Sequence, residues 1–175
     1  MSNNETGRGS VAGIDAHSYA NGIEYPQPFD EYAIALGASA RRHIYILSPQ
    51  LDHEAFDTAG LADALSALAR SSRQSDIRIL VSDIQPMVTR GHGLLELARR
   101  LPSKVHIQRL AEHPQWQGEN CVIRDRSGVL ALPGGAESGA FFEPDSRARA
   151  TQYLELFQTL WNSSAPDPAL RALYI

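Results

Sequence analysis

Three short polar stretches hold the side chains that could exchange protons or grip a charged ligand. Pro49–His53, PQLDH, offers Gln50, Asp52 and His53; Asp83–His92, DIQPMVTRGH, offers Asp83, Gln85, Arg90 and His92; a third supplies Glu112, His113 and Gln115. Carboxylates and imidazoles suit acid–base work, and an arginine fork suits a carboxylate or phosphate. If the stretches converge, Asp83, Arg90, His92 and His113 line a pocket for a small anionic or polar ligand, with Gln50 and Asp52 beside them. Asp52, His53, Asp83 and His92 are also metal-ligating types, but their spacing matches no pattern such as H-E-x-x-H. No metal or other cofactor is expected. Gly134–Gly139, GGAESG, follows a strand pattern without opening a helix, so it fits neither a phosphate loop nor a dinucleotide fingerprint. No G-x-S-x-G elbow supports hydrolase chemistry.

The three stretches each follow an apolar, β-rich run, and this is what would gather them. His43–Ser48, Ile77–Ser82 and Lys104–Arg109 read as strands. Helix patterns lie before and between them, over Phe29–Arg42, Ala55–Arg70 and Gly93–Leu101, with Asp57 and Thr58 as candidate caps for the second. Strands alternating with helices predict an α/β fold, with a mixed, largely parallel sheet flanked by helices on both faces. Ligands of such sheets bind beyond the carboxyl ends of the strands, where the three polar stretches fall.

Asn120–Arg124 and Val129–Leu132 then read as a β-hairpin around the turn Asp125–Gly128, DRSG. Asp125 is the first residue of that turn, a position where a carboxylate accepts a main-chain N–H two residues on. A last amphipathic helix is expected over Ser146–Asn162, with Tyr153, Leu156, Phe157, Leu160 and Trp161 as its buried stripe.

Composition narrows the classes further. The 175 residues carry 16 basic and 20 acidic side chains, a formal charge of −4, which gives no global attraction to nucleic acid or anionic membrane. The single cysteine, Cys121, excludes an internal disulfide framework, and its apolar strand makes it a core residue. No apolar run reaches membrane-spanning length, and residues 1–13 are polar and read as a disordered tail. The expectation is one soluble cytoplasmic domain over residues 14–175.

The order of elements, together with IYILSPQLD, RILVSD, GHGLLELARRLPS and the late hairpin, resembles one repeat of the phospholipase D superfamily. It looks most like bacterial members that have lost their signature. Active members carry H-x-K-x(4)-D followed by G-S-x-N; the histidine attacks phosphorus, the lysine binds phosphoryl oxygens and the aspartate orients the histidines. When the hairpins are matched, Asp125 takes the aspartate's place, but the histidine falls on Gly118 and the lysine on Asn120. With two extra residues in the turn, Gly134 matches the glycine of the second motif, after which Gly135 replaces the serine and Glu137 the asparagine. The only lysine is Lys104, and no H-x-K occurs anywhere. Without a nucleophile covalent phosphoryl transfer has no starting point.

The resemblance therefore implies a catalytically degenerate binding or regulatory module that contacts a small anionic ligand or a partner protein. A homodimer is also implied, because single-repeat members pair about a two-fold axis; Phe141 and Phe142 are candidates for its contacts or, equally, for the core. Neither nucleic acid nor membrane is an expected partner. Two other readings are carried forward. One is an enzyme of different chemistry built on Asp83, Arg90, His92 and His113; the other is a nucleic-acid-binding protein.

Overall fold

The structure, a computed structural model, describes residues 13–135 and 139–171. The expected tail over residues 1–13 lies outside these apart from Gly13, and so does Glu137. The strands are β1 (Ala20–Ile23), β2 (His43–Ser48), β3 (Asp76–Val81), β4 (Val105–Arg109), β5 (Asn120–Arg124), β6 (Gly128–Leu132) and β7 (Ala140–Glu143). The helices are α1 (Phe29–Ser39), α2 (His53–Phe56), α3 (Ala59–Ser71), α4 (Gln85–Arg90), α5 (Gly93–Arg100) and α6 (Arg147–Asn162).

All seven strands form one sheet in the order β1-β7-β6-β5-β2-β3-β4. The alternating side chains of the strands decide which helices cover which face. Ile44, Ile46, Ile77, Ile79, Val122 and Leu130 point to one face, where they pack with Phe29, Leu36, Leu61, Leu65 and Leu94 of the helices before β4. Leu47, Leu80, Cys121, Ile123, Val129 and Ala131 point to the other, where Ala150, Tyr153, Phe157 and Leu160 of α6 cover them. Cys121 is fully buried, and burial pushes its thiol well above the ordinary range, as a core residue requires.

The α/β class and the helices on both faces stand as expected, but the balance of strand directions does not. Only β2–β3 and β3–β4 run parallel, while the four pairings that join β2, β5, β6, β7 and β1 are antiparallel. The expected largely parallel sheet is thus confined to one half. Two strands outside the expected pattern shift the balance: β1 pairs antiparallel with β7, and β7 with β6. In β7, Phe142 is fully buried, so it is a core residue, and the partly buried Phe141 packs edge-on against Tyr153 under the Arg149 guanidinium.

The helix expected over Ala55–Arg70 breaks at Asp57–Thr58. Thr58 caps α3 by accepting the Leu61 N–H at 3.3 Å, and Asp57 accepts the Gly93 N–H at 2.9 Å, which ties the break to the start of α5. Helix α4 lies within the polar stretch Asp83–His92, where no helix was expected. It is six residues long with a proline in its first turn and only Met87 buried, too short for a periodic stripe to register.

Candidate functional site

The carboxyl ends of β2 and β3 meet the amino end of β5, and a buried polar network locks that edge. The Asn120 side-chain amide oxygen accepts the Ser48 hydroxyl at 2.6 Å, and the Ser48 hydroxyl oxygen accepts the Leu51 N–H at 3.0 Å. Leu51 is buried with φ 53°, a left-handed conformation that costs a branched side chain free energy and persists only where neighbours hold it. Its carbonyl is held from the other side by His92 Nε2 at 3.0 Å, while His92 Nδ1 accepts the Leu94 N–H at 3.1 Å as the cap of α5. Nδ1 accepts, so Nε2 carries the proton and the ring is neutral. Burial dominates its titration; the nearby Asp57 and the Leu51 bond oppose it, His53 adds to it, and the pKa falls to about 4.

His92 is therefore a scaffold residue, not a ligand-facing one, which corrects its reading as an accessible site histidine. The other candidates divide between two hollows. Gln50, Asp52 and Arg90 line a small one of about 280 Å³ together with Tyr25, His53 and Glu54. The Tyr25 hydroxyl donates to Asp52, and its pKa is raised by burial first and by that carboxylate second. His113 lines a separate cleft of about 680 Å³ with Pro49, Ser82, Glu112, Pro114, Trp116 and Gly118. Asp83 lines neither, and its carboxylate accepts the Gln85 N–H at 3.0 Å as a local turn bond. Neither hollow gathers Asp83, Arg90, His92 and His113 together.

The positions that the resemblance sets against the phospholipase D motif lie at opposite ends of β5. Gly118 borders the larger cleft with φ 84°, and a Cβ built there meets no atom within 4 Å. Asn120 is consumed in the Ser48 network. Asp125 follows the last residue of β5, about 16 Å of extended chain away. Its carboxylate accepts the main-chain N–H groups of Arg41, Arg42 and His43 at 3.0, 3.0 and 2.9 Å. Burial opposes that charge, but the three donors and Arg124 outweigh it and hold the carboxyl below its ordinary value. The structural role expected for Asp125 stands, but its partners are the α1–β2 connection rather than its own turn. Asp125 itself has φ 49°. Gly134, at the end of β6, packs so closely on the loop before β5 that a Cβ would lie 1.7 Å from the Gln117 carbonyl oxygen.

Among the described residues no three His, Cys, Asp or Glu side chains gather to hold a metal ion. No helix among them is long and apolar enough to cross a membrane. The cleft's apolar walls, Pro49 and Trp116, were missed by sequence reasoning: neither is titratable, and their approach depends on how β2 and the chain before β5 pair.

The sequence model for a family described as "Domain of unknown function (DUF7931)" matches residues 25–173. No curated protein matches. Among solved structures, TrmBL2, described as an archaeal chromatin protein that shows a novel mode of DNA binding, is similar at TM-score 0.61 and 13% identity. That match covers 86% of this chain and 53% of TrmBL2, so the chain spans about half the TrmBL2 chain. Nuc from Salmonella typhimurium, described as a phospholipase D family member, is similar at TM-score 0.59 and 16% identity over 85% of this chain and 96% of Nuc. NucT from Helicobacter pylori follows at TM-score 0.56 and 13% identity, over 86% of this chain and all of NucT (100%). At these identities the likeness establishes a phospholipase-D-like fold and nothing finer.

Proposed function

The chain belongs to the DUF7931 family and has a phospholipase-D-like fold, and from that premise we propose that it is a binding module that does not hydrolyse phosphodiesters. The observation that carries this reading is Gly118. It stands where the motif nucleophile would be, in a conformation that favours glycine, and it faces an open cleft. The loss is deeper than one substitution, because a histidine at 118 would have to adopt that backbone. The motif lysine has no replacement either. Lys104 donates to the carbonyls of Ser72 and Arg73 at 3.0 and 2.6 Å, on the loop before β3. Covalent phosphoryl transfer lacks both its nucleophile and its oxyanion clamp.

The cleft offers binding instead. Pro49, Pro114 and Trp116 give it apolar walls, and Ser82, Glu112 and His113 give it a polar rim. This lining suits a partner-protein segment that inserts an apolar side chain beside a basic one. It favours such a segment over the small anion expected at this edge, because Glu112 repels an anion.

The test has two arms. Purified protein incubated with bis(p-nitrophenyl) phosphate is expected to release no nitrophenol; turnover abolished by His113→Ala would overturn the reading. A thermal-shift screen against nucleotides, acyl-CoA-type ligands, divalent metals and short DNA is run beside His113→Ala/Trp116→Ala protein. No shift that depends on the cleft is expected, and a cleft-dependent shift would reassign the site to a small molecule.

Nucleic-acid binding is the second reading, and the fold shared with DNA-binding TrmBL2 is what supports it. The net charge of −4 opposes it, and a salt-sensitive affinity for DNA would restore it.

A further inference from the structure

At the other end of the sheet, away from both hollows, five arginines surround a groove of about 900 Å³. Arg41 and Arg42 come from the α1–β2 connection, Arg124 and Arg126 from the β5–β6 hairpin, and Arg147 from the first turn of α6. The antiparallel pairing of Ile44 with Arg124 brings the first two segments side by side. Two carboxylates, Asp125 and Asp145, also line the groove, so its formal charge is positive on a chain whose total is −4. Asp125 is already bonded to three main-chain N–H groups.

None of the five guanidinium groups forms an ion pair among the described residues. The ion pairs seen there are those of Arg78 with Asp76, Arg109 with Asp167, and Arg149 with Glu143. Arg124 is fixed in place without a carboxylate. It donates to the Ser39 hydroxyl at 2.9 Å, to the Ser127 hydroxyl at 3.4 Å and to the Pro144 carbonyl. Gly128 lets it lie flat, since a Cβ there would be 3.0 Å from the guanidinium carbon. Arg124 favours the Asp125 carboxylate without an ion pair, yet with four more arginines around it the groove keeps a net positive charge for an anion.

We propose that this groove binds a small anion carrying several adjacent phosphate groups. Guanidinium forks from three separate segments suit oxygens spread over neighbouring phosphates better than a single carboxylate. The volume fits a ligand of nucleotide size. No Trp, Tyr or Phe lines the groove among the described residues, so the stacking platform that single-stranded nucleic acid uses is missing. The site is separate from the Trp116 cleft and stands or falls independently of it.

The test is calorimetric titration of the full chain with inorganic triphosphate at low salt, with orthophosphate and a twelve-nucleotide single strand in parallel. Arg126→Gln/Arg147→Gln changes two exposed groove arginines, and Arg73→Gln/Arg99→Gln serves as a charge-matched control of checked thermal stability. One-to-one triphosphate binding, at least tenfold weaker in the groove variant and unchanged in the control, is the expected result. Equal loss in both variants, no triphosphate binding at millimolar concentration, or orthophosphate binding as tightly would overturn the proposal. Tighter binding of the oligonucleotide through the same arginines would also overturn it, and would assign the groove to nucleic acid.

Discussion

Acidification should destabilise this protein through His92 before most carboxylates respond. The ring is buried, neutral and fully bonded, and its folded pKa is about 4. In the unfolded chain the same group has its ordinary value of about 6.5. The sign follows from proton uptake: above pH 6.5 neither state binds the proton, and below it the unfolded state gains one that the folded state refuses. Stability is therefore lost as pH falls from 6.5 towards 4. The full difference of about 2.5 pKa units corresponds to about 3 kcal/mol, of which about 2 kcal/mol is gone by pH 5. For a chain of this size that lowers the melting temperature by roughly 4–8 °C. The assay compares wild type with His92→Asn at pH 7.5 and 5.0. Asparagine can still cap α5 but does not titrate, and although its loss of the Leu51 bond lowers stability at both pH values, it removes the pH-dependent share. The wild type should lose about 4–8 °C more than the variant between the two pH values. Equal losses, within about 1 °C, would refute the assignment of His92 as a buried neutral scaffold.

Two further perturbations test the supports of the motif positions. Asp125→Ala removes the acceptor of three main-chain N–H groups and should cost about 2–4 kcal/mol in urea unfolding, whereas Asp125→Asn keeps one acceptor oxygen and a tolerance for positive φ and should cost less. Gly134→Ala places a Cβ against the Gln117 carbonyl, a main-chain atom that cannot swing aside, and should cost about 3 kcal/mol or more, read as a fall in melting temperature.

Much of this fold was legible without the structure because it rests on local periodicity. His43–Ser48 and Asn120–Arg124 have the same bounds in sequence and structure, and the helices Gly93–Arg100 and Arg147–Asn162 differ by one residue. In each, apolar side chains recur at a strand or helix period, and burial on a sheet face rewards that period wherever the element lies. The absence of H-x-K was equally plain, since one lysine in 175 residues leaves no room for another alignment. Short elements without a full period, β1, β7 and α4, were not legible. The ladder bonds of the two strands come from partners distant in the chain, as when Ala20 pairs with Phe142, and α4 is too short to show a helix period.

The roles of the candidate site residues were decided only by the tertiary structure. Asp83 and His92 have the types that a ligand site wants, yet a turn bond claims one, and the strained Leu51 carbonyl claims the other. Arg41, Arg124, Arg126 and Arg147 look like scattered surface charges until antiparallel pairing sets β2 beside β5 and α6 starts at the same end. Residue type sets what a side chain is able to do, and it travels with the sequence. Which neighbours compete for that side chain depends on contacts between segments tens of residues apart, and a buried polar group takes whichever partner the fold brings within reach.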